Sequence, residues 1–237
     1  MAKRGGTKHM KRLATPKAMP ITDKKARTWI TQSAPGPHPK KFCIPLSVLI
    51  RDILKLASTL RESRRILSMR MVEVDGKVRT DEKYPVGLMD VVSFPKAGKQ
   101  FRLVVDGKGR LTPREIKKDE GSTKILRVVG KHTVPGGKLN LTLHDGRNML
   151  GDNHVSVGDS VIVSLPKAEL KTHLKREKGS RCLVVEGKHA GTIVKLKEII
   201  ERKGGKPSEA LVQADKEEFI TVAKYLFVVD EAFGTAR

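Results

Sequence analysis

Between Phe42 and Phe94 the hydrophobic period of the chain changes, and this change restricts the fold more than any other feature. Apolar residues first recur at Leu46, Leu49, Ile50, Ile53, Leu54 and Ala57, the spacing of a one-sided helix. Pro45 suits the helix start, where its missing N–H is not needed. Thr59-Leu60-Arg61-Glu62 then reads as a capping box that begins a second helix. Val72-Glu73-Val74, Asp75-Gly76 and Lys77-Val78-Arg79 switch to period two about a tight turn, which predicts a hairpin. After Tyr84-Pro85, residues Leu88 to Phe94 predict a returning strand. Two short helices followed by a small sheet make a platform.

On the second helix Arg61, Arg64 and Arg65 are three and four residues apart and share a face. A lone helix with such a row is usually just solvated. Here the hairpin adds Lys77 and Arg79, and the chain carries 48 basic against 26 acidic residues, a net +22. A charge of that size gathers polyanions, so nucleic acid is the first candidate partner and an acidic membrane surface the second. Arginine suits phosphate because its planar fork donates two parallel hydrogen bonds. No stretch approaches the ~20 apolar residues of a membrane span, and the first residues lack a signal peptide's apolar core. Cys43 and Cys182 fit neither a disulfide framework nor a zinc spacing, and read as buried thiols in a reducing compartment.

The charge is polarised. Residues 1–41 hold eleven basic residues against Asp23, a net +10, interrupted by prolines and glycines. They predict an extended or partly disordered arm that orders along phosphates, with Arg4, Lys8, Lys11, Arg12, Lys24, Lys25 and Arg27 as its contacts. Trp29 fits packing against the first folded domain better than stacking on a base. Residues 95–178 predict a β-rich domain, with strands at Phe101–Val105, Ile125–Val129 (ending at Gly130), Leu139–Leu143 and Ser160–Leu165. Its net +9 suits a solvated surface as well as RNA. Residues 179–237 predict further strands, with a net charge of only +1.

Catalytic signatures are missing from the sequence. There is no P-loop, and Gly107-Lys108-Gly109 lacks the third glycine of a dinucleotide fingerprint. No Gly-x-Ser-x-Gly elbow occurs, and the seven histidines contain no His-x-x-x-His pair. Asn140-Leu141-Thr142 matches a glycosylation acceptor by chance spacing. No cofactor, metal ligand or catalytic residue is assigned.

The segment 42–94 resembles the α-L RNA-binding module. Ile44-Pro45-Leu46, Leu49-Ile50-Arg51-Asp52, the run Val74 to Asp81 and the run Tyr84 to Val91 resemble the archaeal and eukaryotic small-subunit ribosomal protein four-e family. Cys182 to Gly191 resembles a KOW motif, which in that family sits in a small SH3-like barrel. Compact length favours the archaeal type. The resemblance implies an α+β multidomain protein: a basic arm (1–41), an α-L domain (42–94), a central β-rich domain (95–178) and a KOW barrel (179–237). It implies a non-enzymatic constituent of the cytoplasmic ribosome, with small-subunit ribosomal RNA and neighbouring ribosomal proteins as partners and no membrane or small-molecule substrate. Arg51, Lys55, Arg61, Arg64, Arg65, Lys77 and Arg79 would lie on phosphates. Lys188 and His189 fall in the KOW turn, where simple solvent exposure explains them equally well.

Two alternatives compete. RNA-modifying enzymes also carry α-L modules, but Gly109-Arg110-Leu111-Thr112 resembles a pseudouridine-synthase motif with Thr112 where the catalytic aspartate would stand. A methyltransferase would need a glycine-rich turn after a parallel strand. An RNA-binding regulator acting off the ribosome would instead show itself as a free cytoplasmic pool.

Overall fold

The computed structural model describes residues 8–117, 120–202, 205–214, 217–230 and 233. Two short helical segments lie beside three five-stranded antiparallel sheets, an α+β arrangement dominated by strands.

The helical pair forms where the apolar spacing predicted it. Helix α1 spans Leu46–Val48 and continues as a π-turn over Leu49–Ile53. Leu46, Leu49 and Ile50 are fully buried, and Ile53 and Leu54 pack on the same core. Pro45 sits just before the helix, and its strand Ile44–Pro45 pairs with Pro85–Val86. Helix α2, Leu60–Ser68, has both halves of the capping box: the Glu62 N–H donates to Thr59 Oγ1 at 3.2 Å, and the Thr59 N–H to Glu62 Oε2 at 3.3 Å. Ser63 and Leu67, four residues apart, point inward and leave the arginines outside.

The platform sheet orders Lys77–Val78, Glu73–Val74, Val91–Phe94, Lys99–Val105 and Leu111–Glu115. At the Asp75-Gly76 turn both residues have positive φ, 53° and 71°, as a tight two-residue hairpin turn requires. The expected boundary after Phe94 falls inside this sheet, because Val91–Phe94 pairs directly with Lys99–Val105. The central sheet orders Asn148–Gly151, Leu139–Leu143, Thr123–Thr133, Ser160–Ser164 and Leu170–Leu174. Its long strand does not stop at Gly130; the register shifts between Val128 and Gly130, and the bulged strand continues to Thr133. The C-terminal sheet orders Glu218–Val222, Glu209–Gln213, Ile193–Ile200, Arg181–Val184 and Leu226–Val228.

The central and C-terminal sheets each enclose a small apolar core. The largest core is shared: Met19, Ile30, Leu49, Leu67, Val92, Leu103, Ile125, Leu183 and Phe227 belong to one buried cluster. Two expectations for the arm are thereby corrected. Its described residues are not a loose extension, since Met10, Ala18, Met19, Ile21 and Ile30 are buried and Met10–Lys11 pairs with Trp29–Ile30. Isolated apolar residues, without helical or strand periodicity, anchor it to a surface formed by later segments. Trp29 does not pack into the first folded domain; it is 56% exposed, and the His9 ring stands edge-on to it at 5.9 Å. Cys43 and Cys182 are buried free thiols, as expected.

Candidate nucleic-acid interface

Arg61, Arg64 and Arg65 all stand exposed on α2. Arg64 Nε and Nη2 donate to Glu82 at 2.5 and 2.9 Å, and this bidentate pair raises the arginine pKa and lowers that of Glu82. The pair occupies the Nε–Nη2 edge of Arg64, while Arg61 and Arg65 have no carboxylate within 4 Å among the described residues. On the hairpin Lys77 is exposed, and the Arg79 guanidinium lies 4.4 Å over the Tyr84 ring, half-buried. Lys55 is exposed just after the π-turn, at φ 54°.

The arm divides. Lys8, Lys11, Lys25 and Arg27 are exposed and Lys24 is half-buried, whereas Arg4 lies outside the described residues. Arg12 and Arg51 are turned inward, contrary to the expectation of phosphate contacts. Arg12 Nε donates to the Asp23 carbonyl at 2.6 Å and its guanidinium lies 3.6 Å from Asp52; Arg51 donates twice to Asp52 Oδ2, at 3.2 and 2.7 Å. Asp52 draws both cations against α1, an ion pair that helical spacing gave no means of foreseeing. In the C-terminal sheet Lys188 is exposed, but His189 stacks on Phe219 with centroids 4.0 Å apart.

A buried charge cluster holds these surfaces in place. Lys124, with a side chain only 1% exposed, donates to Asp75 at 2.7 Å, Asp90 at 2.5 Å and Asp145 at 3.2 Å. Arg147 reaches Asp75 at 2.5 Å and Asp145 at 3.1 Å, and His38 Nε2 lies 3.0 Å from Asp90. The cluster therefore joins arm, hairpin turn, returning strand and central sheet. Burial works against the Lys124 charge, yet the three carboxylates outweigh it and hold the ammonium above its ordinary pKa. Burial also raises Asp90, but His38 and Lys124 overcome it and keep the carboxyl well below the usual range. Asp75 is pushed up, by burial first and then by the Asp90 charge. Alongside, His144 is lowered to about 3 by burial and by the Lys124 and His38 charges. Its neutral ring is satisfied on both sides: Nδ1 accepts from the Arg127 N–H at 3.1 Å and Nε2 donates to the Leu88 carbonyl at 3.3 Å.

No group of His, Cys, Asp or Glu suited to a metal ion occurs among the described residues, and no helix there is long and apolar enough to cross a membrane. The surface offers exposed guanidinium and ammonium groups on a rigid frame, which suits the shape and phosphate contacts of folded RNA.

Family models match three consecutive stretches: an RS4NT (NUC023) domain over residues 4–41, an S4 domain over 45–92 and the ribosomal family S4e over 97–170. Small ribosomal subunit protein eS4 of Korarchaeum cryptofilum is 43% identical, covering 94% of this chain and 97% of the relative. The protein of that name from Methanosphaera stadtmanae is 39% identical over 98% of this chain and 95% of its own. The crystal structure of the 30S ribosomal protein S4e from Thermoplasma acidophilum superposes with a TM-score of 0.69 at 32% identity, covering 80% of this chain and 96% of that one. With full-length relatives at this identity and the matching fold, the chain belongs to the ribosomal S4e family.

Proposed function

We propose that this protein is a structural constituent of the small ribosomal subunit that binds ribosomal RNA and supports subunit assembly and translation on the cytoplasmic ribosome. It acts as a structural part of the particle, without catalysis; two relatives are named small ribosomal subunit proteins. The carrying observation is the exposed row Arg61, Arg64 and Arg65 on a capped helix of the S4 domain. Lys55, Lys77 and Arg79 extend it, and Lys8, Lys11, Lys24, Lys25 and Arg27 add the arm's contacts. Arginine forks on a fixed helix read the RNA backbone through paired hydrogen bonds. The neighbouring ribosomal proteins face the less basic C-terminal part, residues 179–237. That part reads as an SH3-like KOW barrel, with strand order and the positive φ of Gly187 and Gly191 in support, and it presents Lys188 at its turn.

Replacing Arg61, Arg64 and Arg65 together by glutamate tests this reading. The row contributes little to the core, so the fold persists while affinity for small-subunit RNA falls by at least tenfold at moderate salt. Unchanged affinity would remove the α2 row from the interface.

A further inference from the structure

The arm and the turn at Asp106–Arg110 meet in a cleft that the S4-domain surface does not include. Lys17, Lys24, Lys108 and Arg110 line it over Met19 and Ile21, and its volume is about 440 Å³. Backbone hydrogen bonds fix both walls. The Leu111 N–H donates to the Ala18 carbonyl at 2.8 Å and ties the arm to the strand after the turn. The turn closes on itself, with the Gly109 N–H to the Asp106 carbonyl at 2.7 Å and the Asp106 N–H to the Arg110 carbonyl at 2.8 Å. Gly109 has φ 72°, a conformation that makes so short a loop accessible. On the arm side, the Met19 N–H donates to the Pro16 carbonyl at 3.1 Å and the Ile21 N–H to the Met19 carbonyl at 2.8 Å.

The electrostatics are one-sided. No carboxylate lines the cleft, and none of its cations has an ion-pair partner among the described residues. Asp23, the nearest acid in sequence to Lys24, is occupied as the acceptor of the Ala26 N–H at 3.1 Å. Four like charges drawn together by the fold repel one another, and only an anion from outside relieves that repulsion. The apolar floor, Met19 and Ile21, offers van der Waals contact to a sugar but no hydrogen-bonding partner for a base edge.

We propose that this cleft is a second RNA-backbone site, in which Lys17 and Lys24 on one wall and Lys108 and Arg110 on the other grip the phosphates of a strand crossing from the arm to the central part of the protein. The proposal rests on the RNA-binding reading above and adds a separate location to it. The two walls come from residues about 90 apart in sequence, a juxtaposition no spacing rule reveals. It also gives a role to Gly107-Lys108-Gly109, which is too short for a dinucleotide fingerprint: the positive φ of Gly109 closes the turn that carries Lys108.

The test measures binding of the full chain to a small-subunit ribosomal RNA transcript across a salt series, for K108Q/R110Q, K17Q/K24Q and the quadruple variant. Each double variant removes two phosphate contacts, so the slope of log affinity against log salt flattens by about 1.4 to 1.8. The quadruple variant removes four contacts, and its slope flattens by about 2.8 to 3.6. Circular dichroism checks that each variant folds; all four side chains are exposed or half-buried, so the fold is expected to persist. Unchanged slopes in both doubles, while the Arg61/Arg64/Arg65 variant loses affinity, would overturn the cleft and leave the RNA-binding reading standing. Failure of the unaltered protein to bind the transcript would instead overturn the reading beneath it.

Discussion

Replacing Lys124 by methionine tests whether the buried charge cluster holds the sequence segments together. Methionine retains much of the hydrocarbon volume but removes the charge that three carboxylates share at 2.5 to 3.2 Å. Each acid keeps something: Asp90 keeps His38 and the Gly87 N–H at 2.8 Å, Asp75 keeps Arg147 and the Val91 N–H at 3.1 Å, and Asp145 keeps Arg147. The loss is therefore that of breaking a buried pair, about 3–5 kcal/mol, rather than of stranding three bare charges. Against a total stability of about 5–15 kcal/mol for a folded protein, this is a large fraction. Urea unfolding followed by circular dichroism measures it. The penalty is largest at neutral pH and shrinks as pH falls, because Asp75, its pKa raised by burial, takes up a proton and no longer needs a counter-charge. Adding Asp75→Asn to Lys124→Met recovers part of the loss, because two buried carboxylates rather than three are then left without the Lys124 charge. A penalty below about 1 kcal/mol, or one that does not change with pH, would refute the reasoning.

Two further perturbations probe the same junction. A Cβ at Gly87 would stand 2.3 Å from His38 Cγ, so Gly87→Ala displaces the ring from Asp90; we expect a loss of about 2–3 kcal/mol in urea unfolding and faster proteolysis of the arm, and an unaltered melt would place the His38 ring elsewhere. His144, lowered to about 3 in the folded state from an ordinary 6.5, remains neutral while the unfolded chain takes up a proton, so its contribution to stability is complete above pH 6.5 and is lost as pH falls toward 3. The unaltered protein should lose up to about 1.4 kcal/mol per pH unit from this group between pH 6 and 4, and His144→Phe should show a flatter profile; identical profiles would contradict the assignment.

Local features were legible in the sequence. The capping box at Thr59 and Glu62, the Asp75-Gly76 turn and the apolar face of α1 are each encoded within a few residues, and each forms. The arginine row followed from helical spacing alone. Features set by partners far along the chain were not legible. Lys124 is the second residue of its strand and looks like any surface lysine, because its carboxylates lie 49, 34 and 21 residues away. Asp75 suits a turn so well that its second role, as a buried acceptor of Lys124 and Arg147, left no separate trace. Arg12 and Arg51 count as charge in any sum over the sequence, yet Asp52 holds both inward. The strand Val91–Phe94 reads as the end of a module, but its outer edge pairs onward with Lys99–Val105, so the sheet runs through the point where composition changes. The arm carried the same ambiguity, since the buried apolar residues of its described part follow no helical or strand period and join the core formed by later segments.

Sedimentation of a native lysate, with the chain followed across the gradient before and after a high-salt wash, tests the central claim most directly. A constituent of the small subunit migrates with it near one copy per particle and remains through the wash, held by many phosphate contacts and by the shape of folded RNA. A chain found at the top of the gradient, or released entirely by salt, would contradict that claim.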